Sequence, residues 1–328
     1  MKHTFYAFAA LCAAALLSLT LACCPMQASY KSTITPIYAA TDSGLWIFNG
    51  SSWAQAISVP ANSVVVSGSG AEASVFVGTG SGISYTSTNG ASWKSWAGTN
   101  SSSGPGLGTT PVNKVILGTS ILAATAGGVS IYNSDGSTNA WTNDASMTSV
   151  NDAFQSGTYT FVAGNLPASA PVISVINGTS TEATYLASTF LPTSTKVTAV
   201  VVDSYLDIFA GTDKGLVEIN YTSGAVTYSA NLLASSDYVY VYGLLFDSSG
   251  NLYAATSSGL YANVGTSSQK RLFSDTPALC VYVDGAGTIY AGIASGLRSL
   301  TAGASTWTTG LSGKQVNSVV TTAPLYSF

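Results

Sequence analysis

From about residue 34 onward the hydrophobic positions fall in short runs separated by glycine, serine and asparagine, and none keeps the 3.6-residue period of a helix. Leu252 to Thr256 alternates as a strand does. Ser257-Ser258-Gly259 then supplies a turn whose glycine can take positive φ, and Leu260-Tyr261 begins the return strand. Close copies of this hairpin lie at Tyr38 to Leu45, Val77 to Ile83, Ala123 to Val129, Ala210 to Leu216 and Ala291 to Leu297. Their turn glycines recur at roughly 40-residue intervals. One interval, between Gly128 and Gly215, is double, and a degenerate copy at Phe161 to Asn165 falls inside it, with Ala168 where the glycine would stand. Small residues at the strand centres mark a crowded place.

An apolar run precedes each hairpin, as in Val197 to Val202, Tyr242 to Phe246 and Leu279 to Val283, and each of these three runs ends in an aspartate: Asp203, Asp247 and Asp284. After the hairpin, Trp53, Trp93 and Trp307 mark the start of a fourth strand. Four strands per unit, seven units long, predict an all-β chain, a seven-bladed β-propeller of four-stranded antiparallel blades over residues 34–328. Val316 to Thr322 matches Val112 to Gly118, whereas the first unit has little room for a first strand. The C-terminal strand is therefore expected to complete the N-terminal blade, closing the ring by pairing N- and C-terminal strands and removing its free edges. Pro324 to Phe328 repeats the pattern of Pro36 to Ala39 and competes for the same place.

The strand ending in Asp, the Ser-Gly-Asn turn and the following Leu-Tyr-Ala-Ala-Thr-Ser-Ser-Gly-Leu-Tyr at 252–261 resemble the repeats of two-component-regulator-type propellers. Ser87 to Trp93 is similar to an Asp-box one residue short. The resemblance implies innermost strands around a central channel. It carries over no catalytic residue, because the shared motifs are turn and packing residues.

Charged residues make up only 7% of the chain, against about 25% in ordinary globular proteins, so Ser, Thr, Asn and Gly must supply the polar surface. With a net charge of −4 and two arginines, Arg271 and Arg298, there is no basic stripe for a phosphate backbone, and nucleic acid is not an expected partner. Residues 1–23 read as a signal peptide: Lys2, an apolar run from Phe5 to Ala22, then a cysteine pair. Leu19 to Cys23 resembles a bacterial lipobox, as does Leu21 to Cys24 one residue later, so Cys23 or Cys24 is the expected lipidation site, with 24–33 as a tether. The expectation is an exported cell-envelope protein that meets the membrane only through its N-terminal lipid. A signal cut after Ala28, giving a secreted protein, and an uncleaved anchor are the open alternatives.

Candidate chemistry is sparse. The single histidine, His3, belongs to the leader, so the mature chain offers no Ser-His-Asp or Cys-His system and no His-based metal site. No cofactor is expected. Cys280, flanked by Leu279 and Val281, reads as a small buried residue. Some Asp-box propellers are sialidases, which hold the substrate carboxylate with several arginines; two do not suffice. Paired carboxylates for glycoside cleavage remain the alternative, yet Asp203, Asp247 and Asp284 share one turn position and Asp42 and Asp213 another, which assigns them to backbone capping. Asp207, Asp237, Asp275, Glu72 and Glu182 are left as unrepeated carboxylates. Tyr238, Tyr240 and Tyr242 alternate with Val239 and Val241 and share one face of an extended segment, where they either line the channel or pack between blades. The chain is expected to bind a protein, peptide or glycan without catalysis; a carbohydrate hydrolase or lyase is the alternative.

Overall fold

The computed structural model describes residues 35–68, 73–88, 90–97, 107, 111–134, 139–144, 146–167, 170–177, 180–191, 193–222, 225–229, 231–233 and 239–322. Cys23, Cys24 and the tether lie outside these residues, as does the segment 323–328. The competition between the two similar strand sequences is resolved in favour of the first: Ile37–Thr41 occupies the blade position.

Seven four-stranded antiparallel sheets follow one another along the chain. The first strands of blades two to seven are Ala61–Ser67, Val112–Leu117, Ser149–Ser156, Val197–Val202, Val241–Phe246 and Cys280–Val283. In blade one this place is taken by the last strand of the chain, Val316–Thr321, which pairs antiparallel with Ile37–Thr41. Each first strand packs against the first strand of the next blade all the way round, so these seven strands form the inner ring. The protein is a closed seven-bladed propeller.

A bulge recurs in this ring. In six of the seven blades the ladder between first and second strands slips by one residue just after the first strand begins, at Asn62, Asn113, Asn151, Thr198, Tyr242 and Asn317. A bulged residue is released from the pleat and its side chain re-aimed. At five of these positions the side chain reaches the neighbouring blade. Asn62 Nδ2 donates to Val112 O, Asn113 Nδ2 to Val150 O, Asn151 Nδ2 to Val197 O, Thr198 Oγ1 to Val241 O and Asn317 Nδ2 to Ala61 O, all within 2.5–2.9 Å. The next residue on each strand often works in the other direction: Ser318, Ser63 and Asp152 accept from the backbone N–H groups of Val64, Val115 and Val200. Lys114 is also paired with the buried Asp152 across the seam between blades three and four.

The repeated hairpin is the second and third strands of each blade. Thr41, Thr79, Thr125, Thr212 and Thr256 are buried, and each hydroxyl donates to the carbonyl of the turn glycine three residues on, at 2.7–3.0 Å. The same oxygen accepts the N–H two residues on. Glycine is required at the turn because the end of the fourth strand crosses it: at Gly259, with φ +107°, a Cβ would lie 2.0 Å from Phe273 O. The small residues at the second-strand centres sit where blades converge toward the axis. Ala39, Ala40, Ala123, Ala124, Ala254 and Ala255 are fully buried, and a Cβ at Gly292 would lie 2.4 Å from Val316 O of the adjoining inner strand. Trp53 opens the fourth strand of blade one, and Trp93 and Trp307 directly precede those of blades two and seven. The apolar core lies between successive blades, as where Ala199, Val201 and Phe209 of blade five meet Val241, Leu244 and Leu252 of blade six.

Gly259→Ala should destabilise the fold by roughly 3 kcal/mol, combining backbone strain with a clash against main chain. Asn151→Ala should cost about 1–2 kcal/mol by leaving the Val197 carbonyl unpaired. Urea unfolding of the two variants beside the parent protein measures both, and equal midpoints would refute the account of turn and seam.

Candidate functional site

The bulged residues all lie at one end of the inner ring, the end from which the chain enters each first strand. Four asparagines and Thr198 are committed to the seams. The sixth blade departs from this pattern, because its bulged residue is Tyr242, 39% exposed. Its ring rests on Tyr240, with centroids 4.6 Å apart and planes 32° apart, while Val239 and Val241 point inward and are buried. The alternation read from the sequence therefore holds across 239–242. The strand itself starts only at Val241, so Tyr240 belongs to the segment that enters it. Tyr238 lies outside the described residues. Tyr240 is fixed by two hydrogen bonds to Ser257, its N–H donating to Oγ and its carbonyl accepting the Ser257 N–H.

Asp213 borders this corner from blade five. Burial pushes its carboxyl up, but hydrogen bonds from the Ser194 and Thr195 hydroxyls and the Thr195 and Lys196 N–H groups outweigh burial and hold it below the usual carboxylate range. The expected capping of its own turn is not what Asp213 does: its partners lie at 194–196 in the segment that enters the first strand of blade five, and Thr212 caps the hairpin turn instead. Burial, then Tyr242 and Asp213, raise the Tyr240 phenol. The corner thus offers two aromatic rings and their hydroxyls beside a negative charge. Such a surface can stack on a flat or apolar ligand face and hydrogen-bond at its edge.

The aspartates of the other repeated position, Asp203, Asp247 and Asp284, cap turns at the opposite face. In each, one carboxylate oxygen accepts two backbone N–H groups at 2.8–2.9 Å: Asp203 from Tyr205 and Asp207, Asp247 from Ser249 and Asn251, and Asp284 from Ala286 and Thr288. The described unrepeated carboxylates, Asp207, Asp275 and Glu182, lie on different blades. Asp275 is bound by both terminal nitrogens of Arg298, and Glu182 accepts from Asn177 Nδ2 on the outer hairpin of blade four. Glu72 and Asp237 lie outside the described residues. Asp207 has a carboxylate neighbour that sequence reading did not pair with it. The Asn220 amide, turned with its nitrogen toward them, lies 2.8 and 2.9 Å from the Asp207 oxygens and 3.1 Å from Glu218 Oε1. Burial, then Asp207 and Asp203, raise the Glu218 carboxyl. The Cys280 thiol faces Val316 O at 3.9 Å, and burial pushes it up to about 12, as suits an inert packing residue.

A second aromatic concentration escaped the sequence reading. Tyr85 and Trp96 stack at 4.0 Å, and Trp96 continues to Tyr132 at 4.9 Å and to Trp141 at 5.4 Å across the seam between blades two and three. Beside it a cleft of about 280 Å³ opens between Phe76, Tyr132 and the turn at Gly118 to Ser120. These rings come from four strands of two blades, with no local spacing to connect them.

No protein-family profile matches the chain, and no curated protein does. Solved structures do. The extracellular domain of the hybrid two component system BT3049 from B. thetaiotaomicron superposes with a TM-score of 0.59 at 16% identity, over 79% of this chain and 36% of that one. PorZ, a bacterial surface component of the type-IX secretion system of Porphyromonas gingivalis, gives 0.57 at 14%, over 78% and 42%. An ancestral GH74 enzyme gives 0.56 at 19%, over 73% and 36%. The likeness is one of fold, and the chain spans well under half of each of these three longer proteins.

Glu218 yields a prediction. Its folded pKa is raised, so its contribution to stability is complete below the unfolded value of about 4.3 and is lost as pH rises through the folded value. Glu218→Gln should therefore melt above the parent at pH 7, with the difference shrinking toward pH 4. Thermal melts at the two pH values test this, and a parent as stable as the variant at pH 7 contradicts it.

Proposed function

We propose that the chain is an exported binding or assembly module that holds a protein, peptide or glycan at the Tyr240–Tyr242 corner, without catalysis. One observation carries the reading. The bulge that five inner strands use to clip the next blade is used in the sixth to present an exposed tyrosine, backed by a second ring on a hydrogen-bonded segment. A rigid aromatic pair has little conformational entropy to lose on binding, which favours it as a recognition element. Export is supported by the apolar leader with its cysteine pair, by the low charge of the chain, and by the extracellular and surface descriptions of the proteins whose fold it shares. In this reading Cys23 or Cys24 carries the lipid, and the described propeller stands clear of the bilayer; among the described residues no helix is long and apolar enough to cross a membrane.

Peptide and glycan arrays probed with the mature domain should yield a ligand whose affinity falls about tenfold or more in Tyr242→Ala, as befits a hot-spot aromatic. A ligand indifferent to both Tyr242→Ala and Tyr240→Ala would remove the corner from the reading, and turnover of a bound oligosaccharide would select the hydrolase alternative. Mass spectrometry of the mature N-terminus should find a lipid-modified Cys23 or Cys24; an unmodified start after Ala28 would leave a secreted protein.

A further inference from the structure

The three aspartate-capped turns are repeats of one device, and one of them has been altered. In blades six and seven the sequences are Asp247-Ser248-Ser249-Gly250-Asn251 and Asp284-Gly285-Ala286-Gly287-Thr288, and the fourth residue of each is a glycine with φ +78°. In blade five the turn is Asp203-Ser204-Tyr205-Leu206-Asp207. Leu206 stands in the glycine place at φ +68°, a conformation in which a residue with a Cβ is strained. The hydrogen bonds of the turn are nevertheless those of its siblings. Tyr205 replaces Ser249 and Ala286 and is 82% exposed, and Leu206 is 39% exposed. Neither is drawn into a core, so packing within the blade does not explain them. They form a protruding apolar tip on a turn whose siblings are small and polar, and exposed apolar groups ringed by polar ones mark interaction surfaces.

The surroundings of the tip carry a sign. Phe209 occupies the place of Tyr253 and Tyr290, whose hydroxyls donate to the second oxygens of Asp247 and Asp284, so Asp203 lacks that donor. Asp207 ends the turn, and Glu218 faces the same Asn220 amide. Three carboxylates thus gather beside the tip, and burial together with Asp207 and Asp203 raises the Glu218 carboxyl. A partner bringing cations would relieve this repulsion as it covers the apolar tip.

We propose that Tyr205 and Leu206, with Asp207 and Glu218 beside them, form a docking surface for a basic polypeptide, Tyr205 entering an apolar recess of the partner while the carboxylates meet its lysine or arginine side chains. The surface lies on the face opposite the Tyr240–Tyr242 corner and does not depend on it.

The test uses the sibling turn as its own control. Y205S/L206G gives Asp-Ser-Ser-Gly-Asp, nearly the blade-six sequence, and should melt at or above the parent temperature, so lost binding cannot be put down to misfolding. The probe is a set of synthetic peptides with lysine and arginine spaced around apolar residues, alongside versions with glutamate in place of the cations. Fluorescence anisotropy should show binding to basic members only. Y205S/L206G should weaken it at least tenfold, Asp207→Asn with Glu218→Gln several-fold, and raised salt should weaken it as well. Val59→Ser, another exposed apolar position remote from the turn in sequence, should leave it unchanged. The proposal is overturned if no basic peptide binds at millimolar concentration, if the acidic versions bind equally, or if binding survives Y205S/L206G.

Discussion

Every inner strand of a closed ring has one edge that no ladder partner can cover. In an ordinary sheet that edge faces water or another element; here side chains of the neighbouring inner strand reach part of it. Its backbone groups must still be satisfied, since an unpaired buried donor or acceptor costs as much as a lost hydrogen bond. The protein meets this demand with a bulge and a short amide or hydroxyl. Slipping the ladder by one residue at Asn62, Asn113, Asn151, Thr198 and Asn317 turns each side chain toward a carbonyl of the next blade. The residue that follows, serine or aspartate at three seams, receives an amide in return. The seams are thereby held in register by polar contacts, while the apolar clusters between blades provide the cohesion.

The same geometry explains why side chains shrink toward the axis. Blades fan outward, so volume is scarcest between second strands and the adjoining first strands, and alanine and glycine are the residues that fit. Bulk returns toward the outer strands, where Tyr85, Trp96, Tyr132 and Trp141 fill one seam. Sparse charge follows from the construction too. Buried hydroxyls such as Thr256 organise the hairpins, carboxylates mainly cap turns, and few charged pairs are needed to hold a ring already closed by its strands.

Function in such a molecule is found in departures from the repeat. A position that serves the scaffold in most blades has its residue type set by the scaffold, so a residue there that no longer serves it calls for another explanation. Tyr242 at a clip position and Leu206 at a glycine position are departures of this kind, one at each face of the ring.

The architecture was legible in the sequence because a propeller writes its constraints locally and repeats them. The Thr-x-x-Gly hairpin, the small residues before it and the aspartate that ends the preceding strand are contacts within a few residues of one another, so they recur as strings. Closure by the last strand followed from the same logic, since Val316 to Thr321 carries the pattern of an inner strand and the first unit lacks one. Only the tertiary structure could decide which of two similar segments completes the first blade, that the asparagines reach across seams, and that four strands of two blades contribute one aromatic stack. These depend on contacts between residues far apart in the chain, such as Asn113 with Val150, Asn62 with Val112 and Asn317 with Ala61, and no local spacing encodes them. The candidate sites divide in the same way. Alternation placed Tyr240 and Tyr242 on one face, but the exposure of Tyr242 at a clip position, and a strained tip beside three carboxylates, became visible only once the ring had closed.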